Sequence, residues 1–242
     1  GWETSAMTVL GNLGTQQESR QEFTAGTLAT HHEELPRLNV VAIEFGAGGN
    51  SVVAGPLLPD DAFVNDGQLT KQAMRLLALA ALAPARAQVL WDVGTGSGSI
   101  GISWCRSAPG ASTIAFEKRG DRAARARGNA AALGVSDRFE VRVGDALRLM
   151  SDPSLPQPDA IFFGGGAAAE TCQAALAALP TGGRLVVHSV TLETEALLAD
   201  LHARYGGELT RISLESAKPL GSFRGWRPSR TITCYSLTKE TP

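Results

Sequence analysis

The sequence predicts an α/β fold, a seven-stranded, mostly parallel sheet with helices on both faces and an antiparallel last strand. Three observations carry that reading. From residue 60 onward, short apolar strands alternate with helices of about 10–15 residues, the pattern of βαβ units. One of those strands runs straight into alternating glycines and then a helix. The last two strands have no helix between them, so they pair antiparallel at one edge.

The elements follow in order. Residues 7–10 and 38–43 are two short apolar stretches joined by polar segments; two strands and a short helix bury little, so this region leans on something else. Gly55-Pro56-Leu57-Leu58-Pro59-Asp60-Asp61 cannot continue a helix or a central strand and reads as a linker. Helical spacing then runs over 72–82, and 88–93 is an apolar strand ending in Gly94-Thr95-Gly96-Ser97-Gly98. A helix to about 108, a strand at 113–117, an alanine-rich helix at 121–133 and a strand at 138–143 come next. Residues 160–163 form a strand, 168–179 a helix, 184–188 a strand and 193–205 a helix. The strands at 208–214 and 230–237 close the chain, joined by a long basic loop.

A chain of 242 residues, 43% hydrophobic, supports one domain of ordinary to large size, or a domain plus an arm. Its three cysteines, Cys105, Cys172 and Cys234, are odd in number and widely spaced, without CxxC. That pattern fits a reducing compartment and gives no cysteine-held zinc or other metal site. No apolar run reaches about 18 residues, and residues 1–10 lack a basic region followed by an apolar one. The expectation is a cytoplasmic protein without a membrane span. The net charge of −2 hides an asymmetry: residues 1–66 hold two basic residues (Arg20, Arg37) against nine acidic ones, a balance of −7. The remainder holds 20 basic and 15 acidic residues, a balance of +5, which suits an anionic ligand.

The sharpest motif is Val89-Leu90-Trp91-Asp92-Val93-Gly94-Thr95-Gly96-Ser97-Gly98-Ser99. Glycines between a strand and a helix let the backbone turn tightly and approach a ligand at the helix N-terminus. The spacing is G-x-G-x-G, not the G-x-G-x-x-G of dinucleotide dehydrogenases, and no nicotinamide-side residues can be placed. With an acid two residues before the first glycine, the segment resembles motif I of class I S-adenosylmethionine-dependent methyltransferases, which implies a Rossmann-like fold and S-adenosyl-L-methionine as cofactor. Glu117, 19 residues after Gly98 at a strand end, is placed to accept from ribose hydroxyls, although an acid there is also ordinary loop chemistry. Gly144-Asp145-Ala146 follows the third strand of the set, where such enzymes meet the adenine edge; alone, Asp145 reads as a helix cap. Asp92 either holds the loop's amides or meets the ligand's methionine end, and the first role is the better fit.

Three further segments narrow the resemblance: residues 65–75 (NDGQLTKQAMR), 162–166 (FFGGG) and 185–194 (LVVHSVTLET). Together they resemble the precorrin-6Y methyltransferase family of cobalamin biosynthesis, in the part that methylates C15 and decarboxylates the C12 acetate, over roughly residues 60–237. Residues 1–14 and 38–43 resemble the end of the tetrapyrrole methylase domain that bifunctional members carry ahead of this one. The resemblance therefore implies that residues 1–58 are the remnant of that domain plus linker, and that 59–242 are the methyltransferase domain. A native arm of a single-domain enzyme is the alternative. The resemblance also implies cofactor contacts from Thr70, Gly94–Gly98, Glu117, Asp145 and Ala146, a precorrin substrate and a homotetramer. The family commonly has Asp in place of Glu117, and often Ser near Gly164, Gly165 and Gly166.

A corrinoid precursor is a flat polycarboxylate, and arginine reads carboxylates in bidentate fashion. Arg224 and Arg227, in a loop with Phe223 and Trp226, are the candidate readers, with Gly164, Gly165 and Gly166 beside the substrate. Mixed basic and aromatic residues also fit RNA, so an RNA methyltransferase is the runner-up, although a pI near 6.1 and the lack of a basic stripe speak against nucleic acid. A non-catalytic cofactor-binding module is a third reading. His188, at the end of the fifth strand of the set, is a candidate proton donor facing the cleft, with a core histidine as the alternative. His31-His32 read as solvated helix residues.

Overall fold

The computed structural model describes residues 2–46, 55–56 and 58–240, which fall into two compact units, Gly1–Val52 and Val53–Pro242. Gly1 of the segment resembling a tetrapyrrole methylase domain and Leu57 of the expected linker lie outside the described residues.

In the first unit, β1 (Ala6–Gly11), β2 (Ser19–Thr24) and β3 (Asn39–Glu44) form an antiparallel sheet of order β2-β1-β3, with α1 (Ala25–Ala29) between β2 and β3. Thr24 and Thr27 close a capping box at the start of α1. The sequence foresaw two strands here; β2, SRQEFT, is too polar to register as one. Val40, Val41 and Ile43 are exposed although they lie in a strand. The expected histidine helix is absent: α1 stops at Ala29, and His31 packs edge-on against Phe23, 4.9 Å between centroids.

The second unit opens with a short 3-10 turn at Asp60–Ala62, and Leu58 just before it is already buried in the core, so the expected linker ends earlier than its composition suggests. Then follow α2 (Gln72–Leu82), β4 (Val89–Val93), α3 (Ser99–Ser107), β5 (Ser112–Glu117), α4 (Gly120–Ala132) and β6 (Phe139–Val143). The chain continues through α5 (Ala146–Met150), β7 (Ala160–Phe163), α6 (Ala169–Ala178), β8 (Arg184–Ser189) and α7 (Leu192–Tyr205). It closes with β9 (Glu208–Ile212), β10 (Glu215–Leu220), β11 (Phe223–Pro228) and β12 (Ile232–Thr238). The sheet order is β6-β5-β4-β7-β8-β12-β9; β4, β5, β6, β7 and β8 pair in parallel, and β12 runs antiparallel to both neighbours. This is the seven-stranded sheet with a reversed last strand that the sequence predicts.

Alternation along buried strands sorts the side chains into two layers. Leu90, Ala115, Phe162 and Val186 pack with α2, α3 and α4, while Trp91, Phe116, Phe163 and Val187 pack with α5, α6 and α7. Ala123, Ala126 and Ala130 let α4 lie close to the sheet. The strand order reverses between β4 and β7, and a crevice opens at the carboxyl ends of the strands at such a point.

The expected long basic loop is instead a hairpin. β10 and β11 pair only with each other, across Leu220↔Phe223, and form a ribbon separate from the main sheet. It springs from the end of β9, which runs parallel to β8, so it rises from the same edge of the sheet as the crevice.

Candidate functional site

The glycine loop lies between β4 and α3, at the centre of that edge. Gly94, Gly96 and Gly98 all have positive φ. At Gly94 (φ +71) an added Cβ would meet the Gly165 carbonyl oxygen at 3.1 Å, so the loops after β4 and β7 touch through bare backbone. Asp92, 1% exposed, points under the loop: its Oδ2 accepts from Thr95 Oγ1 at 2.6 Å and from the Gly101 amide at 3.1 Å. Gly101 must lack a side chain, because a Cβ there would come within 2.7 Å of both Phe139 and Thr113. Burial pushes the Asp92 carboxyl up to about 6, opposed by the bonds from Thr95 and Gly101. Both donors fall on Oδ2, one the loop's Thr95 hydroxyl and the other the Gly101 amide of α3, so Asp92 ties the loop to the helix through a side chain and not through the loop's amides.

Glu117 ends β5 beside the loop, 6% exposed, and accepts from the Gly96 amide at 2.9 Å and the Arg119 amide at 3.0 Å. A carboxylate offers about four lone-pair directions, so two protein donors leave capacity for a ligand's hydroxyls. The segment 64–70 crosses the loop, with the Gln68 carbonyl oxygen 3.9 Å from where a Gly96 Cβ would stand. Thr70 lies at its end, where its carbonyl accepts from Arg75 Nη1 at 2.7 Å.

At the neighbouring strand ends, Gly164, Gly165 and Gly166 follow β7, and His188 lies one residue beyond the Phe163↔Val187 pair of β7 and β8. His188 is 4% exposed and meets Phe162 edge-on at 5.2 Å. Neither ring nitrogen has a hydrogen-bond partner among the described residues. Burial pulls the imidazole down to about 4, so it is neutral at physiological pH. An open cleft-facing histidine was expected; the ring is instead enclosed, and the charged acid form is disfavoured.

Against this geometry, the family described as precorrin methyltransferase domain matches residues 61–239. The chain belongs to that family. The chain is 44% identical, over 238 residues, to the precorrin-6Y C(5,15)-methyltransferase [decarboxylating] of Mycobacterium tuberculosis. That match takes in 98% of this chain but 59% of the relative, so the chain spans under two thirds of the length of such curated relatives. A probable cobalt-precorrin-6B C(15)-methyltransferase (decarboxylating) of Pyrobaculum aerophilum is 33% identical over 76% of this chain and 97% of its own. Among solved structures, the C-terminal domain of precorrin-6Y C5,15-methyltransferase from Rhodobacter capsulatus superposes with a TM-score of 0.72 at 43% identity, covering 76% of this chain and 98% of that one.

The remaining expected residues of the precorrin methyltransferase domain fall as follows. Asp145 caps α5, accepting from the Arg148 amide at 3.1 Å, and stands exposed between Gly144 and Ala146 at the end of β6. Ser97 is buried, and its carbonyl accepts from Asn129. Arg224 and Arg227 are exposed, but three residues apart on one strand they take opposite faces of the ribbon, so they do not form a pair. A loop could turn both to one ligand, whereas a strand aims them to opposite sides. Sequence reading missed Asn129 and Arg75, both buried and both tied to the segment that crosses the loop. A faint signal existed for Asn129, a lone polar residue on the alanine stripe of α4. Among the described residues, no group of three His, Cys, Asp or Glu could hold a metal ion, and no helix is long and apolar enough to cross a membrane.

Proposed function

We propose that this chain methylates C15 of a precorrin macrocycle with S-adenosyl-L-methionine and promotes loss of the C12 acetate carboxyl group, as a step of cobalamin biosynthesis. The observation that carries this reading is the glycine cradle at Gly94–Gly98, with Gly94, Gly96 and Gly98 all at positive φ, beside the Glu117 carboxylate, in a chain 44% identical to a relative bearing that name.

The residues fit the cofactor. Its binding would fall to Thr70, Gly94, Thr95, Gly96, Ser97, Gly98 and Glu117, with Gly144, Asp145 and Ala146 at the adenine edge and Asp92 acting through the loop. The bound cofactor supplies a methyl group already activated by its positive sulfur, so the protein needs no strong base at C15. The chain's task is alignment and exclusion of water, which together lower such barriers by several kcal/mol, on the order of 7 or more from proximity alone.

Decarboxylation breaks the bond between the acetate methylene and its carboxyl carbon. Carbon dioxide leaves, the electron pair passes into the conjugated ring, and the methylene carbon takes up a proton. A neighbouring cation would stabilise the carboxylate and oppose its loss. Residues 164–168 and 188–192, at the ends of β7 and β8, include no Lys or Arg, and His188 is held neutral there. His188, enclosed and neutral, then forms part of the wall behind these loops, in place of the charged proton donor. Arg224 or Arg227 reads the peripheral carboxylates from the hairpin. Residues 1–58 correspond to the end of a tetrapyrrole methylase domain; the family resemblance gives a homotetramer, the cysteine pattern a cytoplasmic protein without a membrane partner, and the pI near 6.1 no nucleic-acid partner.

Mass spectrometry of the product from precorrin-6B and labelled S-adenosylmethionine tests the proposal. One labelled methyl gained with one carbon dioxide lost is the expected result. Unchanged substrate, in the presence of folded protein that binds the cofactor, would overturn it.

A further inference from the structure

Residues 64–68 are exposed throughout, and Val64 is 69% exposed, so this stretch buries no apolar side chain that would hold it in place. It is nonetheless fastened from three sides. Asn129, 2% exposed on α4, receives the Val64 amide on Oδ1 at 3.0 Å and donates from Nδ2 to the Val64 carbonyl at 2.9 Å. The same Nδ2 donates to the Ser97 carbonyl at 2.8 Å. One carboxamide thus uses both donors and its acceptor to tie the crossing segment to the glycine loop.

Arg75, 1% exposed on α2, holds the other end. Its Nη1 donates to the Thr70 carbonyl at 2.7 Å and to Asp60 Oδ1 at 3.0 Å, and its Nη2 donates to the Leu58 carbonyl. The guanidinium lies 4.8 Å over the Phe63 ring. Between the two anchors, Asp66 Oδ2 takes Arg122 Nε at 2.8 Å and Arg125 at 3.4 Å. Buried polar anchors are costly unless fully paired, and here they secure a stretch whose apolar contribution to the core is the partly buried Leu69 at its far end. What the stretch does is lie over Gly96, with Gln68 nearest.

We infer that residues 64–70 form a pre-fastened strap over the cofactor cradle, and that Asn129 and Arg75 are positioning residues that keep strap and glycine loop in register for cofactor binding. The inference rests on the S-adenosylmethionine reading above. Its physical logic is entropic: a free strap of seven residues would be ordered only when ligand arrives, at a cost to affinity. A fastened one has met that cost on folding.

Calorimetric titration of S-adenosylhomocysteine, with thermal unfolding of the ligand-free protein and amide exchange over 64–70, provides the test. Asn129→Ala should weaken affinity about tenfold and speed exchange in the strap. Asp66→Ala, which leaves the buried anchors intact, should weaken affinity about threefold with an unchanged unfolding temperature; both magnitudes follow from losing one to three hydrogen bonds. If Asn129→Ala does not fold, Asp66→Ala alone decides. Wild-type affinity in Asp66→Ala, or in folded Asn129→Ala, overturns the strap. Failure of the wild-type protein to bind S-adenosylhomocysteine overturns the cofactor reading and the strap with it.

Discussion

The two halves of the crevice are built on opposite principles. At β4 and β5 the recurring polar groups are engaged: Asp92 takes two donors, Glu117 takes two amides, and Asn129 spends its carboxamide on three bonds. At β7 and β8 the backbone carries Gly164, Gly165 and Gly166, and His188 has both ring nitrogens buried without partners. A buried polar atom left unpaired costs about 1–3 kcal/mol. The contrast separates a half whose polar groups are paired on folding from one that encloses an unpaired imidazole.

Three experiments would break or sharpen that contrast. The largest effect belongs to Gly94→Val. A β-branched residue at φ +71 carries strain of about 1–2 kcal/mol or more, and its Cβ would press on the Gly165 carbonyl at 3.1 Å. S-adenosylhomocysteine binding should fall below calorimetric detection, and unchanged affinity would move the cofactor away from the paired half.

The two halves also differ in the sign of their pH dependence. His188 titrates at about 4 in the folded state against a usual 6.5, so the unfolded chain takes up its proton first and stability is lost as pH falls through that window. Asp92 titrates at about 6 against 3.8, so the unfolded chain releases its proton first and stability is lost as pH rises from 3.8 to 6. In the wild-type protein the two largely cancel. Relative to wild type, His188→Asn should gain about 3 kcal/mol as pH falls from 6.5 to 4, and Asp92→Asn about 3 kcal/mol as pH rises from 3.8 to 6. Urea unfolding across pH 4–7 measures both; parallel curves for all three proteins would mean that neither burial acts as described.

The smallest effect concerns the hairpin. Because Arg224 and Arg227 occupy opposite faces, their alanine variants should differ: about fivefold weaker tetrapyrrole binding for one, under about twofold for the other, on the scale of a single exposed charged contact. Fluorescence quenching by a tetrapyrrole polycarboxylate, with cofactor affinity as the control, separates them. Equal losses would place both side chains on one ligand despite the ribbon.

Much of this was legible in the chain itself. Apolar spacing marks α2 over Gln72–Leu82, and its end is set where Ala83 turns left-handed just before Pro84. The short apolar run at Ala160–Phe163 is a strand in the sequence and in the fold. The glycine loop, Asp92 and Glu117 were visible because the chemistry of such a cradle is contiguous or falls at successive strand ends. The hairpin escaped notice because β10 and β11 are short and exposed, even at Leu220, Phe223 and Trp226, so no buried face imposes alternation on them. Helix α5 has five residues, too few for a periodic pattern.

The sequence by itself determined the layered α/β architecture, the place of the cradle and the family, because these depend on local periodicity and on residue types close together in the chain. The tertiary structure alone decided what the buried polar groups do. Asn129 joins Val64 and Ser97, 65 and 32 residues away, and His188 becomes neutral through burial on all sides. Desolvation and hydrogen-bond pairing are properties of what surrounds an atom, and that enclosure comes from strands and helices that meet only when the chain has folded.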